Sequence, residues 1–73
     1  MENGIGNRIA SERKRLGLTQ TELALKLART PQNVSNWEVG RYQPRPLELE
    51  KMSQLGMDIF FILRGEAVDK ALQ

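Results

Sequence analysis

The segment from Thr19 to Gly40, TQTELALKLARTPQNVSNWEVG, holds two helix start signals so close together that only two short helices and a tight turn fit. Thr19 and Glu22 have the spacing of a capping box, in which the hydroxyl and the carboxylate each satisfy a backbone N–H left free at a helix start. Leu23, Ala24 and Leu27 then fall on one face. Thr30 followed by Pro31 opens the second helix, because proline has no N–H to leave unpaired there and its φ is already helical. Val34 and Trp37 form its inward pair, and Gly40 ends it.

The rest of the chain is punctuated in the same way. A first helix runs from about Ile5 to Arg15 on the stripe Ile5, Ile9 and Leu16, with Ala10 and Glu12 to Arg15 mostly outside it and Gly17 as the stop. Arg41 to Arg45 is a loop, since Pro44 and Pro46 disfavour helix just before them. A fourth helix begins near Pro46, uses Leu47, Leu49, Met52 and Leu55 inward, and stops at Gly56. Asp58 is a good N-cap for a fifth over Ile59–Arg64, with Gly65 after it. Strand signals are poor. The expectation is an all-α, compact five-helix single domain over residues 1–73, its core about 5–65, with 66–73 as a tail that continues as helix or frays.

Composition removes most chemistries. The 73 residues allow one small core. With no cysteine and no histidine, disulfides, thiolate sites and the commonest metal ligand and general base are absent. No carboxylate cluster has metal-binding spacing, and no nucleophile pair or phosphate loop is visible, so neither metal, cofactor nor enzymatic activity is expected. No apolar run approaches a membrane span. The lack of cysteine fits a reducing cytoplasm. Charge is uneven: residues 1–45 carry eight basic against four acidic side chains, and residues 46–73 three against five. A basic first part suits one phosphate-facing side; ordinary surface charge is the alternative.

Once Val34 and Trp37 turn inward, the second helix of the central pair is left with Pro31, Gln32, Asn33, Ser35 and Asn36 outward. Gln and Asn can each bond adenine through two atoms, Ser can bond several bases, and Pro31 offers apolar contact to a thymine methyl. The major groove of B-DNA accepts one such helix, while a second crosses the backbone and fixes it. Gln32 and Asn36, four apart on one face, rank first as base readers.

The ordered set Gln20, Glu22, Leu23, Ala24, Val34, Trp37, Glu38 and Gly40 resembles the helix-turn-helix of the Cro/C1 type, found in lambdoid phage repressors, Cro proteins and small bacterial regulators. Arg13, Leu49, Leu55-Gly56 and Leu63-Arg64-Gly65 extend the resemblance over roughly residues 5–65. It implies a lambda-repressor-like fold in which the helix-turn-helix spans the second and third helices, and a dimer that binds operator DNA. It also implies that Gln20 bonds a phosphate and that Arg13 pairs with Glu38 in a structural salt bridge, from which Arg13 still reaches a phosphate. Arg41, Arg45 and Lys26, with Arg8 and Tyr42 behind them, are further candidates for the DNA backbone, which positions without reading sequence.

One point departs from the family pattern. The turn usually carries glycine and then an apolar residue, whereas this chain has Ala28 and Arg29. A non-glycine residue at positive φ costs roughly 1 kcal/mol, so the turn is expected either to carry slight strain or to differ in geometry. Arg29 leaves a core plug missing, or folds its stem over the gap with its charge in water.

The run Ile59-Phe60-Phe61-Ile62-Leu63 has more apolar surface than a short helix can bury. Ile59, Ile62 and Leu63 are expected to serve the core, and Phe60 to project outward beside Met57 as a homodimer contact; the alternative packs Phe60 under residues 66–73. Two recognition helices would then read a near-palindrome. The expected function is a transcriptional regulator of double-stranded DNA, of repressor or Cro-like type, in a bacterial or phage-infected cytoplasm. The competing class is an antitoxin or adaptor of the same fold whose main partner is a protein. The chain starts at Met1 and ends soon after the fifth helix, which suits a small Cro-like regulator; an N-terminal fragment of a longer repressor would have the same ends.

Overall fold

The computed structural model describes residues 4–65. Among them five helices follow in order, α1 (Ile5–Arg15), α2 (Gln20–Lys26), α3 (Pro31–Glu38), α4 (Pro46–Gln54) and α5 (Ile59–Arg64), with no strand. The fold is all-α. The tail 66–73 lies outside the described residues.

Local chemistry sets the helix ends. Thr19 Oγ1 accepts from the Glu22 N–H at 3.0 Å, and Glu22 Oε1 accepts from the Thr19 N–H at 2.8 Å. Thr30 and Asn33 repeat the arrangement on α3: Thr30 Oγ1 accepts from the Asn33 N–H, and Asn33 Oδ1 from the Thr30 N–H, each at 3.2 Å. Asp58 Oδ1 accepts from the Phe61 N–H at 2.9 Å and starts α5. Between α2 and α3, Ala28 takes φ 58°, and the Arg29 N–H returns to the Ala24 carbonyl at 2.8 Å. The turn therefore keeps the left-handed geometry of a glycine without having one.

Helix α3 lies at the centre, packed against α2 on one side and α1 on the other, while α5 bridges α1 and α4. Ile9 from α1, Leu23, Ala24 and Leu27 from the α2 segment, Val34 and Trp37 from α3, Met52 from α4 and Ile62 from α5 form the core. Each fully buried aliphatic side chain of this kind contributes about 2 kcal/mol. Gly6 lets α1 approach the end of α3: a Cβ at this position would lie within 3.0 Å of the Trp37 and Glu38 carbonyl oxygens.

Four side chains depart from helical-stripe expectations. Leu47 and Leu63 are 58% and 47% exposed, because α4 turns Leu49 and Met52 inward and the six-residue α5 has room to bury only Ile62 fully. Met57 is buried, since it lies in the link between α4 and α5 and turns into the core. Glu12 is buried too. Its Oε1 accepts from the N–H of Asp58 at 2.7 Å, and Arg15 holds both its oxygens at 2.8 and 2.9 Å. A helix start leaves free N–H groups, and Glu12 supplies an acceptor to α5 from across the core.

The Arg15 guanidinium holds the Glu12 carboxyl below its ordinary range; burial opposes this and the Asp58 N–H adds to it. A carboxyl whose pKa is lowered on folding stabilises the fold above its unfolded value, about 4.3. That contribution disappears as pH falls through the lower folded value. Thermal unfolding between pH 6 and pH 3 should therefore show a midpoint that falls with acid, and Glu12→Gln should flatten the acid limb. An unchanged acid limb would remove Glu12 from this role.

Candidate nucleic-acid interface

The outward side of α3 carries Pro31 and Gln32, both exposed, with Asn33, Ser35 and Asn36 half-buried. Gln32 and Asn36 are bonded to each other, Gln32 Nε2 donating to Asn36 Oδ1 at 3.1 Å. Asn33 is tied to the start of its helix, its Oδ1 also accepting from the Thr30 hydroxyl at 2.9 Å.

A polar network sets the angle of α3. Arg13 donates from Nε to Glu38 Oε2 at 2.6 Å and from Nη2 to Oε1 at 3.2 Å, and its Nη1 donates to the Leu18 carbonyl at 2.8 Å. Gln20 Nε2 donates to Glu38 Oε1 at 2.9 Å. The Arg13 and Glu38 side chains are only 11% and 8% exposed. Glu38 thus joins α1, the start of α2 and the end of α3 at one carboxylate. All three Arg13 nitrogens already have protein acceptors, so its geometry is that of a brace. No spacing along the chain signals the Gln20 bond, because its two partners stand on different helices.

Beside α3 runs a polar cleft that Asn33, Asn36, Arg29, Tyr42, Arg45 and Glu48 help to line. The structure therefore brings Arg45 and the exposed Tyr42 to the α3 flank, whereas Lys26 and Arg41 are exposed and do not line the cleft. Arg29 neither leaves a hole nor reaches only water: its Nη1 stands 3.6 Å from Oε2 of the buried Glu48, whose Oε1 accepts from the Arg45 N–H at 2.8 Å. An ion pair stands where the family pattern has an apolar plug, and it ties the turn to α4. Arg8 is engaged with α5, Nε donating to the Ile62 carbonyl at 2.8 Å.

Phe60 is 57% exposed. Its neighbours in a shallow groove are Pro46, Leu49, Glu50, Ser53, Gln54 and Ile59, and not the buried Met57.

The same arrangement of helices occurs in the P22 c2 repressor protein, solved in complex with a synthetic operator. The likeness has a TM-score of 0.77 and 26% identity, over 86% of this chain and 97% of that one. The helix-turn-helix family model matches residues 9–55. The chain belongs to the Cro/C1-type helix-turn-helix family. A Yarrowia lipolytica protein named "multi-protein-binding factor 1" is 42% identical to this helix-turn-helix chain over 55 residues. That alignment takes in 75% of the chain but only 36% of the relative, so the chain spans about a third of that protein's length. Family and fold are those of DNA-binding transcriptional regulators and not of enzymes. Among the described residues, no helix is long and apolar enough to cross a membrane.

Proposed function

We propose that this helix-turn-helix chain is a sequence-specific regulator of transcription, of phage-repressor or Cro-like type, that binds a near-palindromic operator as a homodimer. The observation that carries the reading is the outward row of Gln32, Ser35 and Asn36 on a helix fixed by a cap at its start and the Glu38 network at its end. Pro31 and Asn33 flank the row. Gln20, at the start of α2, is the phosphate anchor, with the N-terminal end of that helix dipole behind it. Arg41, Arg45 and Lys26 add phosphate contacts, and binding should fall steeply with salt.

Selection of bound sequences from random DNA, followed by titrations on the selected operator, tests the reading. Gln32→Ala should relax preference at one base position while leaving affinity for random DNA nearly unchanged. Gln20→Ala should weaken operator and random DNA alike. Equal loss on both DNAs for Gln32→Ala would reject base reading by this residue.

The proposed dimer uses Phe60 at the α4–α5 groove, and two recognition helices related by a two-fold axis would read half-sites about 34 Å apart. A second reading makes the chain an adaptor or antitoxin whose main partner is a protein; the name of the Yarrowia relative and the exposed Phe60, Leu63 and Leu47 favour it. Phe60→Asp separates the two. For a DNA-binding dimer it should produce monomers in sedimentation and lower operator affinity by about 100-fold, since linked half-sites lose their effective concentration. Unchanged operator binding with loss of a stoichiometric protein partner would favour the adaptor.

A further inference from the structure

The hydrogen bond between Gln32 and Asn36 has a consequence for how α3 would read DNA. Two carboxamides on one face could each bond a different base independently. Here Gln32 spends an Nε2 hydrogen on Asn36 Oδ1 at 3.1 Å. A carboxamide can turn end for end, presenting oxygen or nitrogen in the same direction, and each orientation suits a different base edge. The bond couples the two carboxamides, and with Gln32 Nε2 on Oδ1 the Asn36 NH2 is directed away from Gln32.

The remaining capacity fits one base. Asn36 keeps two N–H donors and the second lone pair of Oδ1. In the major groove adenine presents an acceptor at N7 beside a donor at N6, so one oriented carboxamide can give a hydrogen to N7 and accept one from N6. Guanine presents two acceptors there and would face Oδ1 with its O6. Cytosine and thymine lack the N7–N6 pair. A donor on Oδ1 also polarises the Asn36 amide and strengthens what its N–H can give.

We propose that Gln32 and Asn36 act as one reading unit, in which Asn36 contacts a single adenine and Gln32 is a positioning residue that fixes the Asn36 carboxamide. This rests on α3 being the DNA-reading helix. It goes further in assigning both side chains to the same base position. Ser35, one residue from Asn36, lies outside the unit.

The test is a double-mutant cycle on the selected operator, with each base substituted in turn. Gln32→Ala and Asn36→Ala should relax the same position, each lowering discrimination for adenine by about tenfold. The double variant should lose no more than Asn36→Ala alone, within about twofold, because the positioned group is already gone. Replacing that adenine with 7-deazaadenine, which lacks the N7 acceptor, should weaken the wild type and leave Asn36→Ala almost unaffected. Gln32→Glu, which can only accept from Asn36, should favour the opposite carboxamide orientation and lose the preference for adenine at that same position. Relaxation at two different positions, with effects that multiply in the double variant, would overturn the shared unit while leaving α3 as the reader. No change in base preference for either variant would overturn the unit together with the reading of α3.

Discussion

Gly6→Ala should lower the unfolding free energy by about 3 kcal/mol. Two effects oppose each other. Alanine inside a helix is favoured over glycine by about 0.5–1 kcal/mol. Against this, the new methyl would lie 2.8 Å from the Glu38 carbonyl carbon and closer still to the Trp37 and Glu38 oxygens. These are backbone atoms and cannot swing aside as a flexible side chain would. Relief requires α1 to back away from α3, and overpacking of this kind costs typically about 1–3 kcal/mol, occasionally more. The steric cost wins. For so small a domain, with total stability near about 5 kcal/mol, the thermal midpoint should drop by more than about 10 °C. Gly17→Ala is the control. Gly17 has φ 75° and no atom within 4 Å of where the alanine methyl would sit, so its cost is backbone strain alone, about 1 kcal/mol. Equal losses for the two variants would show that α1 and α3 do not meet through Gly6.

Glu38→Ala should cost a similar amount, about 3 kcal/mol, for an electrostatic reason. It removes the acceptor of two Arg13 bonds and one Gln20 bond at once. Removing one member of a buried pair typically costs about 3–5 kcal/mol, because the other charge stays behind without compensation. The pair here is about one-tenth exposed, and Arg13 keeps its bond to the Leu18 carbonyl, which places the loss at the lower end. Arg13→Met combined with Glu38→Leu should lose less than the two single changes added, since neither charge is then stranded. Urea titration of the wild type, Glu38→Ala, the two single changes and their combination measures this directly. A Glu38→Ala loss below about 0.5 kcal/mol would class the bridge with ordinary surface ion pairs.

The two predictions meet at the same place, the end of α3. Gly6 sets how near α1 can come to it, and Glu38 fixes its position against Arg13 and Gln20. The side chains proposed to read bases lie on that helix. Its position relative to α2, which would rest on the DNA backbone, decides whether Gln32 and Asn36 reach the groove floor. A displacement of about 1 Å is enough to spoil such contacts.

The places where helical patterning fails have separate causes. Periodicity turns Leu47 and Leu63 inward, but α4 and α5 are short and bury Met52 and Ile62 while leaving Leu47 and Leu63 exposed. Met57 follows Gly56 in a link, where periodicity has no meaning, and its side chain fills the core between α4 and α5. Glu12 carries charge and falls outside the apolar stripe, yet the start of α5 needs an acceptor there. For Arg29 the motif leaves two fates open, and the structure supplies a third because buried Glu48 lies within ionic reach.

Local spacing alone is enough to specify the five helices, the helix starts at Thr19, Thr30 and Asp58 and the polar face of α3, whereas the left-handed conformation of Ala28 is seen only in the structure. The former depend on residues three or four apart, and such short spacings survive whatever the rest of the chain does. Tertiary packing was needed to reveal that Gln20 bonds Glu38, that Glu12 starts α5 and that Arg8 holds the Ile62 carbonyl, across separations of 18, 46 and 54 residues. Gly6 belongs with them: its value lies in the carbonyls of a helix some thirty residues away, and nothing in its own neighbourhood marks it. Such contacts form only after packing has fixed the crossing of two helices, and a pattern along one helix carries no record of that crossing.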